Sequence, residues 1–173
     1  MSEVLITPDT WEQWRQEPVL DLIAHIVSNF HEKHREQLPA LIQLSRKVER
    51  VHEAHPACPA GLADALEALY QELESHMLKE EQVLFPMVAR GLGPQARGPI
   101  TVMRMEHREQ DQALRRLDEL TAAGRLPADA CGSWRALYRD LDQFRRDLNQ
   151  HILLENEVLF NHVSIVGEGA RHA

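Results

Sequence analysis

Two short stretches of this chain carry the same chemistry: ESHMLKEEQVLFP at 74–86 and NQHILLENEVLFN at 149–161. In each, a histidine is followed four residues later by a glutamate and then by Val-Leu-Phe, so His76 and Glu80 correspond to His151 and Glu155 at an offset of 75. Residues four apart share one face of a helix, and here that face is otherwise apolar. Leu62, Leu66, Leu69 and Leu73 lead to His76 and Glu80, with Val83 and Met87 beyond; Trp134, Leu137, Leu141, Phe144 and Leu148 lead to His151 and Glu155, with Val158 beyond. Two carboxylates are thereby aimed into a core, where glutamate is almost never found unpaired. Lys79, Arg145 and Arg146 fall on outward or flanking phases. A bound cation is the simplest counter-charge.

The remaining ligands for such a cation come from histidine, the commonest metal-binding side chain, of which the chain has 10. A third stripe reads Ile100, Met103, His107, Leu114 and Leu117, and a first reads Leu20, Ile23, Val27, His31, His34, Leu38 and Leu41. Helical phase leaves His31 and His34 as equal competitors for the fourth imidazole. Four imidazoles and two carboxylates are too rich in nitrogen for magnesium or calcium and lack the thiolates of structural zinc, which leaves iron or manganese. Two ions suit the set best, each glutamate giving one oxygen to each ion, with an oxo or hydroxo bridge and an exchangeable position for O₂, NO or peroxide. Glu72, one turn before His76, and Glu106, next to His107, are candidates for orienting ligands or relaying protons, as is whichever of His31 and His34 is not a ligand. The plainer expectation for both glutamates is a solvated helix face. Met77, Met87, Met103 and Met105 read as core filler. His25 lies off the stripe, and His52, His55 and His172 read as solvated.

These residues need four helices to hold them. Pro- and Gly-rich clusters at 55–61, 91–99 and 124–132 cut the chain into segments of about 18–51, 62–90, 100–123 and 133–163, rich in Leu, Ala, Glu, Gln and Arg and too long for strands. Short connections predict an all-α, up-down-up-down four-helix bundle over 18–165, with 1–17 as an arm of unreadable role and 166–173 as a tail. At about 1.5 Å of rise per residue, the inward histidines fall at one height in that bundle. Pro39 and Pro86 are expected to kink or interrupt their helices. A length of 173 residues suits one domain. A net charge of −8 argues against nucleic-acid binding, and no apolar run is long enough to span a membrane. Cys58 and Cys131 are too far apart for a Cys-x-x-Cys site and read as unpaired thiols in a reducing, cytoplasmic setting.

The order of a lone His, His-x-x-x-Glu, a lone His and a second His-x-x-x-Glu resembles the hemerythrin-like domain of the Repair of Iron Centres family, bacterial di-iron proteins of iron-sulfur cluster repair. The likeness is carried by FHEKHREQLPAL, VERVHEAHPACPAGLADAL, ELESHMLKEEQVLFPM, GPITVMRMEH, CGSWRALY and HILLENEVLF. It implies that His31, His76, His107 and His151 are terminal ligands and that Glu80 and Glu155 bridge two iron ions. It thereby favours His31 over His34. It also implies a role in repairing clusters damaged by nitrosative or oxidative stress, through iron donation or NO reduction, with apo iron-sulfur proteins as partners; a non-catalytic sensor of O₂ or NO is the alternative. Members commonly begin with a small cysteine-bearing domain, which is not seen here, and have proline where this chain has Asn161. Oxygen-carrying hemerythrins usually have a further histidine where this chain has Asp111, which argues against oxygen transport.

Overall fold

The computed structural model describes residues 8–163, so His172 and the expected tail lie outside the described residues. Helix α1 (Pro8–Gln16) occupies part of the expected arm, and its Trp11 and Trp14 pack on the core. Helix α2 (Val19–Ile26) runs through a π-helical turn, Val27–His31, into α3 (Glu32–Val51). Helix α4 (Leu62–Lys79) passes through a second such turn, Glu80–Leu84, into α5 (Phe85–Ala89). A 3₁₀ turn at Pro94–Ala96 leads to α6 (Arg97–Leu120), and α7 (Gly132–Leu154) continues into a third π-helical turn, Glu155–Leu159.

The helices close a ring in which every neighbour is antiparallel, as side-chain pairs of opposite numerical trend show. Arg46 meets Asp64 while Arg35 meets Glu74, across α3 and α4. His52 meets Cys131 while Gln37 meets Asp147, across α3 and α7. Gly61 faces Leu120 while Lys79 pairs with Glu106 across the second and third runs, and Arg104 meets Asn161 while Arg145 pairs with Asp118 across the third and fourth. Glu49, from the end of α3, accepts hydrogen bonds from the Gly61 and Ala63 amides and so caps the start of α4, where Gly61 turns with φ +87°.

The buried side chains form two apolar clusters. One holds Leu38, Leu66, Leu73, Leu114, Trp134 and Phe144 with their neighbours; the other holds Ile26, Phe30, Leu84, Ile100, Val158 and Phe160 with theirs. Between them, each of the four runs contributes buried histidine, and two contribute glutamate as well.

The π-helical turns correct two of the expected stripes, whereas Val158 beyond Glu155 is buried as expected. In each, the amide after the turn reaches back five residues, Glu32 to Val27, Phe85 to Glu80 and Phe160 to Glu155, so one extra residue is accommodated. Beyond Glu80 the buried positions are therefore Leu84, Phe85 and Val88, whereas Val83 is 50% exposed and Met87 is only partly buried. Before His31 they are Leu22, Ile26 and Phe30, whereas Leu20 is 54% exposed. α6 has no such turn before its end, and its stripe, Ile100, Met103, His107, Leu114 and Leu117, is buried throughout. Proline is not the cause of the interruptions. α3 runs through Pro39, Pro86 lies in the first turn of α5, where a missing amide is tolerated, and Asn161 stands in the equivalent place after the third turn. Met77 and Met103 are core filler as expected, but Met105 is 51% exposed.

Candidate metal centre

Six buried side chains converge between the two clusters. His31, Glu80, His151 and Glu155 form one group and His76, Glu80, His107 and Glu155 another, each with one ligand atom per residue and all those atoms within 4.8 Å of one another. The two groups share both glutamates, and each glutamate turns one oxygen to each group. Glu155 Oε1 lies 2.8 Å from His151 Nε2, and its Oε2 lies 2.9 Å from His107 Nε2. Glu80 Oε2 lies 3.2 Å from His31 Nε2, and its Oε1 lies 3.4 Å from His76 Nε2. The Nε2 atoms of His76 and His107 themselves approach to 3.1 Å.

All four imidazoles therefore point Nε2 inward and Nδ1 outward. Outside, His31 Nδ1 meets Glu81 at 2.8 Å, His76 Nδ1 meets Glu106 at 2.8 Å, His107 Nδ1 meets the Asn156 side-chain oxygen at 2.9 Å, and His151 Nδ1 meets His34 at 3.2 Å. A carboxylate or amide oxygen accepts the Nδ1 proton, which leaves the inward nitrogen of a neutral ring as a lone pair. Inside, both oxygens of Glu80, Oε2 of Glu155 and Nε2 of His31 are buried and make no hydrogen bond. Orphaned carboxylate oxygens among inward imidazole lone pairs fit a pair of metal ions.

Without metal, protons take that role. Burial depresses the His31 imidazole, but the facing carboxylates of Glu155 and Glu80 outweigh it and raise its pKa to about 10. His76 is raised to about 11 in the same way, burial being overcome first by the Glu80 charge and then by Glu155. His151, fully buried, is depressed by its desolvation, and burial together with the His151 charge drives His34 well below the ordinary histidine value. Glu155 resists its own burial because His151, His107 and His31 face it, and stays well below the usual carboxylate range.

His34 does not enter either group; it sits fully buried behind His151. Glu106 is no solvated bystander, since it joins His76 to Lys79. None of the four outward Nδ1 atoms turns to Glu72, which lines a cleft of about 330 Å³ with Gln71, Ser75, Lys79, Glu106, Glu109 and Gln110. Sequence reasoning missed Glu81 and Asn156. A signal for both was present, because they occupy equivalent places directly after Glu80 and Glu155. The same duplication places Phe85 against His31 and Phe160 against His107, both stacked at 5.8 Å. His52 and His55, expected to be solvated, pack at the far end of the bundle on Trp134, with His52 Nε2 3.0 Å from Cys131 Sγ. Cys58 and Cys131 are unpaired, as expected.

The hemerythrin HHE cation binding domain matches residues 22–163. The chain belongs to the hemerythrin HHE family. It is 49% identical over 160 residues to the iron-sulfur cluster repair protein YtfE of Yersinia pseudotuberculosis serotype IB (strain PB1/+), covering 92% of this chain and 72% of that protein. The YtfE of Yersinia pestis (strain Pestoides F) matches equally in identity and coverage. The hemerythrin HHE assignment agrees with the helical bundle and with two buried His/Glu groups suited to a di-metal centre. No helix among the described residues of this HHE chain is long and apolar enough to cross a membrane.

Proposed function

We propose that this chain is a cytoplasmic di-iron protein of iron-sulfur cluster repair, acting on clusters damaged by nitrosative or oxidative stress. His31, His151, His76 and His107 would hold the irons terminally and Glu80 and Glu155 would hold both. The observation that carries this reading is the sharing of two buried carboxylates between two histidine pairs, with three of their four oxygens making no hydrogen bond. The likeness to YtfE proteins supports iron as the metal and cluster repair as the setting.

Bound iron would supply exchangeable positions for a diatomic or peroxide ligand, and iron is also the cargo if the protein donates metal to apo iron-sulfur proteins. The protein's part is to turn four Nε2 atoms inward and hold them converging, through outward bonds from Nδ1. Its two apolar clusters keep bulk water from the charged layer, and two glutamates supply negative charge that two divalent ions offset.

Metal analysis of protein purified without air tests the centre: two irons per chain are expected. Glu80→Ala and Glu155→Ala are expected to lose the pair, whereas His52→Ala keeps it; equal iron in all three variants defeats the assignment. Iron transfer to an apo iron-sulfur protein, or NO consumption with an electron donor, tests the activity. Reversible binding of NO or O₂ with neither reaction would instead make the protein a sensor.

A further inference from the structure

The duplicated halves of the centre are not backed alike. Glu81 and Asn156, at equivalent places in the repeat, support His31 and His107. His76 is supported by Glu106, the residue before His107. The residue before His31 is Phe30, which cannot accept a hydrogen bond in the same way and instead stacks on His151 at 5.4 Å. His151 is the one imidazole of the four supported by another imidazole, His34.

Proton placement in that pair follows from its outer end. Lys33 Nζ lies 2.8 Å from Asp147 Oδ2, Gln37 Nε2 donates to the same oxygen at 2.7 Å, and Gln143 Nε2 donates to Oδ1 at 3.1 Å. A carboxylate only accepts, so the Gln37 amide nitrogen must face Asp147 and its Oε1 must face His34 Nδ1, 3.1 Å away. Nδ1 of His34 therefore donates. Nε2 of a neutral His34 is then an acceptor, 3.2 Å from His151 Nδ1. Every link in the series from His151 through His34 and Gln37 to Asp147 runs in one direction, donor inside and acceptor outside. At its inner end the series calls for a proton on Nδ1 of His151, so that with a metal ion bound the Nε2 atom beside Glu155 Oε1, 2.8 Å away, is free to act as the ligand.

We propose that His34 is a positioning residue, which through this directed series fixes the tautomer and ring orientation of His151 and so sustains the ion shared by His31 and His151, but not the ion shared by His76 and His107. The proposal rests on the di-metal reading above. His34 is fully buried, with the Phe144 ring 5.5 Å away edge-on, so its replacement must be judged by chemistry at matched size. His34→Leu fills the space and cannot accept a hydrogen bond. His34→Gln can accept one.

The test is anaerobic loading with ferrous iron, followed by equilibrium competition against a chromophoric ferrous chelator. The parental protein is expected to hold two ions. In His34→Leu one dissociation constant is expected to rise by about 10–100-fold, the usual consequence of losing an outer partner of a ligand, while the other is unchanged. His34→Gln should stay near the parent. Asn156→Leu should weaken one ion, and its combination with His34→Leu should weaken both, because the two residues support imidazoles of different groups. His34→Ala replaces the leucine variant in the series if leucine fails to keep the parental helical signal. In the zinc-loaded parent, ¹⁵N NMR should show the proton on Nδ1 of His151. A parent that binds fewer than two ions overturns the di-metal reading and this proposal with it. Two ions in the parent, with unchanged or equally weakened ions in His34→Leu, overturn the proposal alone, as does a glutamine variant no better than leucine or an unprotonated Nδ1 at His151.

Discussion

At the scale of single residues, the centre trades protons for metal. His31 and His76, raised to about 10 and about 11 by the buried glutamates, hold protons at neutral pH when metal is removed. Metal uptake must displace them, so ferrous or zinc loading near neutral pH should release about two protons per chain, and apparent affinity should climb with pH up to that range. Titration in weak buffer with a pH indicator checks this; loading without proton release would contradict the assigned pKa directions. The metal-free protein should show the linked effect on stability. Its folded-state values lie above the ordinary histidine value of 6.5, so the stabilisation is complete below 6.5 and is lost as pH rises through about 10 and 11. Melting of chelator-treated protein should therefore fall across that alkaline window, and the fall should be smaller with metal bound. The outer partners belong to the same scale. Glu81 and Glu106 are both held below the ordinary carboxylate value, burial being outweighed by Arg35 and His31 in one case and by Lys79 and His76 in the other. They remain charged acceptors for their histidines.

At the scale of elements, the π-helical turns at Val27–His31, Glu80–Leu84 and Glu155–Leu159 coincide with one histidine and both glutamates of the centre. Each widens the helix by one residue where a ligand leaves the backbone. Deleting Gln82, an exposed residue of the second turn, would allow a plain α-helix there and would still bring Leu84 and Val88 to the buried face. We expect that variant to keep its helical signal in circular dichroism while losing at least one of the two ions, because the turn at Glu80 is tightened. Full metal content in the deletion variant would show that the widened turn is dispensable. Most of the helices were legible beforehand, because Leu, Ala, Glu, Gln and Arg at helical spacing leave little alternative. The turns were not, because their extra residue carries no distinguishing side chain, and the α6 stripe shows that the same reading succeeds where no turn intervenes before the stripe ends.

At the scale of the whole molecule, the charged layer divides the core in two, and metal is what offsets its charge. Removing it should lower the melting temperature of the entire bundle, since ions that bind only the folded chain stabilise it by mass action. The cluster remote from the chain ends should nonetheless behave as an ordinary core. Leu66, fully buried there, is expected to cost about 2–5 kcal/mol as Leu66→Ala, measured by chemical denaturation, with two irons still bound per chain. Loss of iron in that variant would mean that the two clusters are not separable in this way.

The chain's own order of residues determined the helical class, the duplicated His-x-x-x-Glu pairs and the need for a cation, because buried carboxylates at core phase admit few remedies. It left His31 and His34 level, since both lie on the inward side of one helix and differ in neither type nor burial. The family resemblance favoured His31, and the packed structure supplies the physical reason: His31 meets both glutamates across the bundle, while His34 meets the back of His151. The packed structure alone also set the register on the far side of the turns at Val27–His31 and Glu80–Leu84, where one extra residue shifts the phase of the helical period.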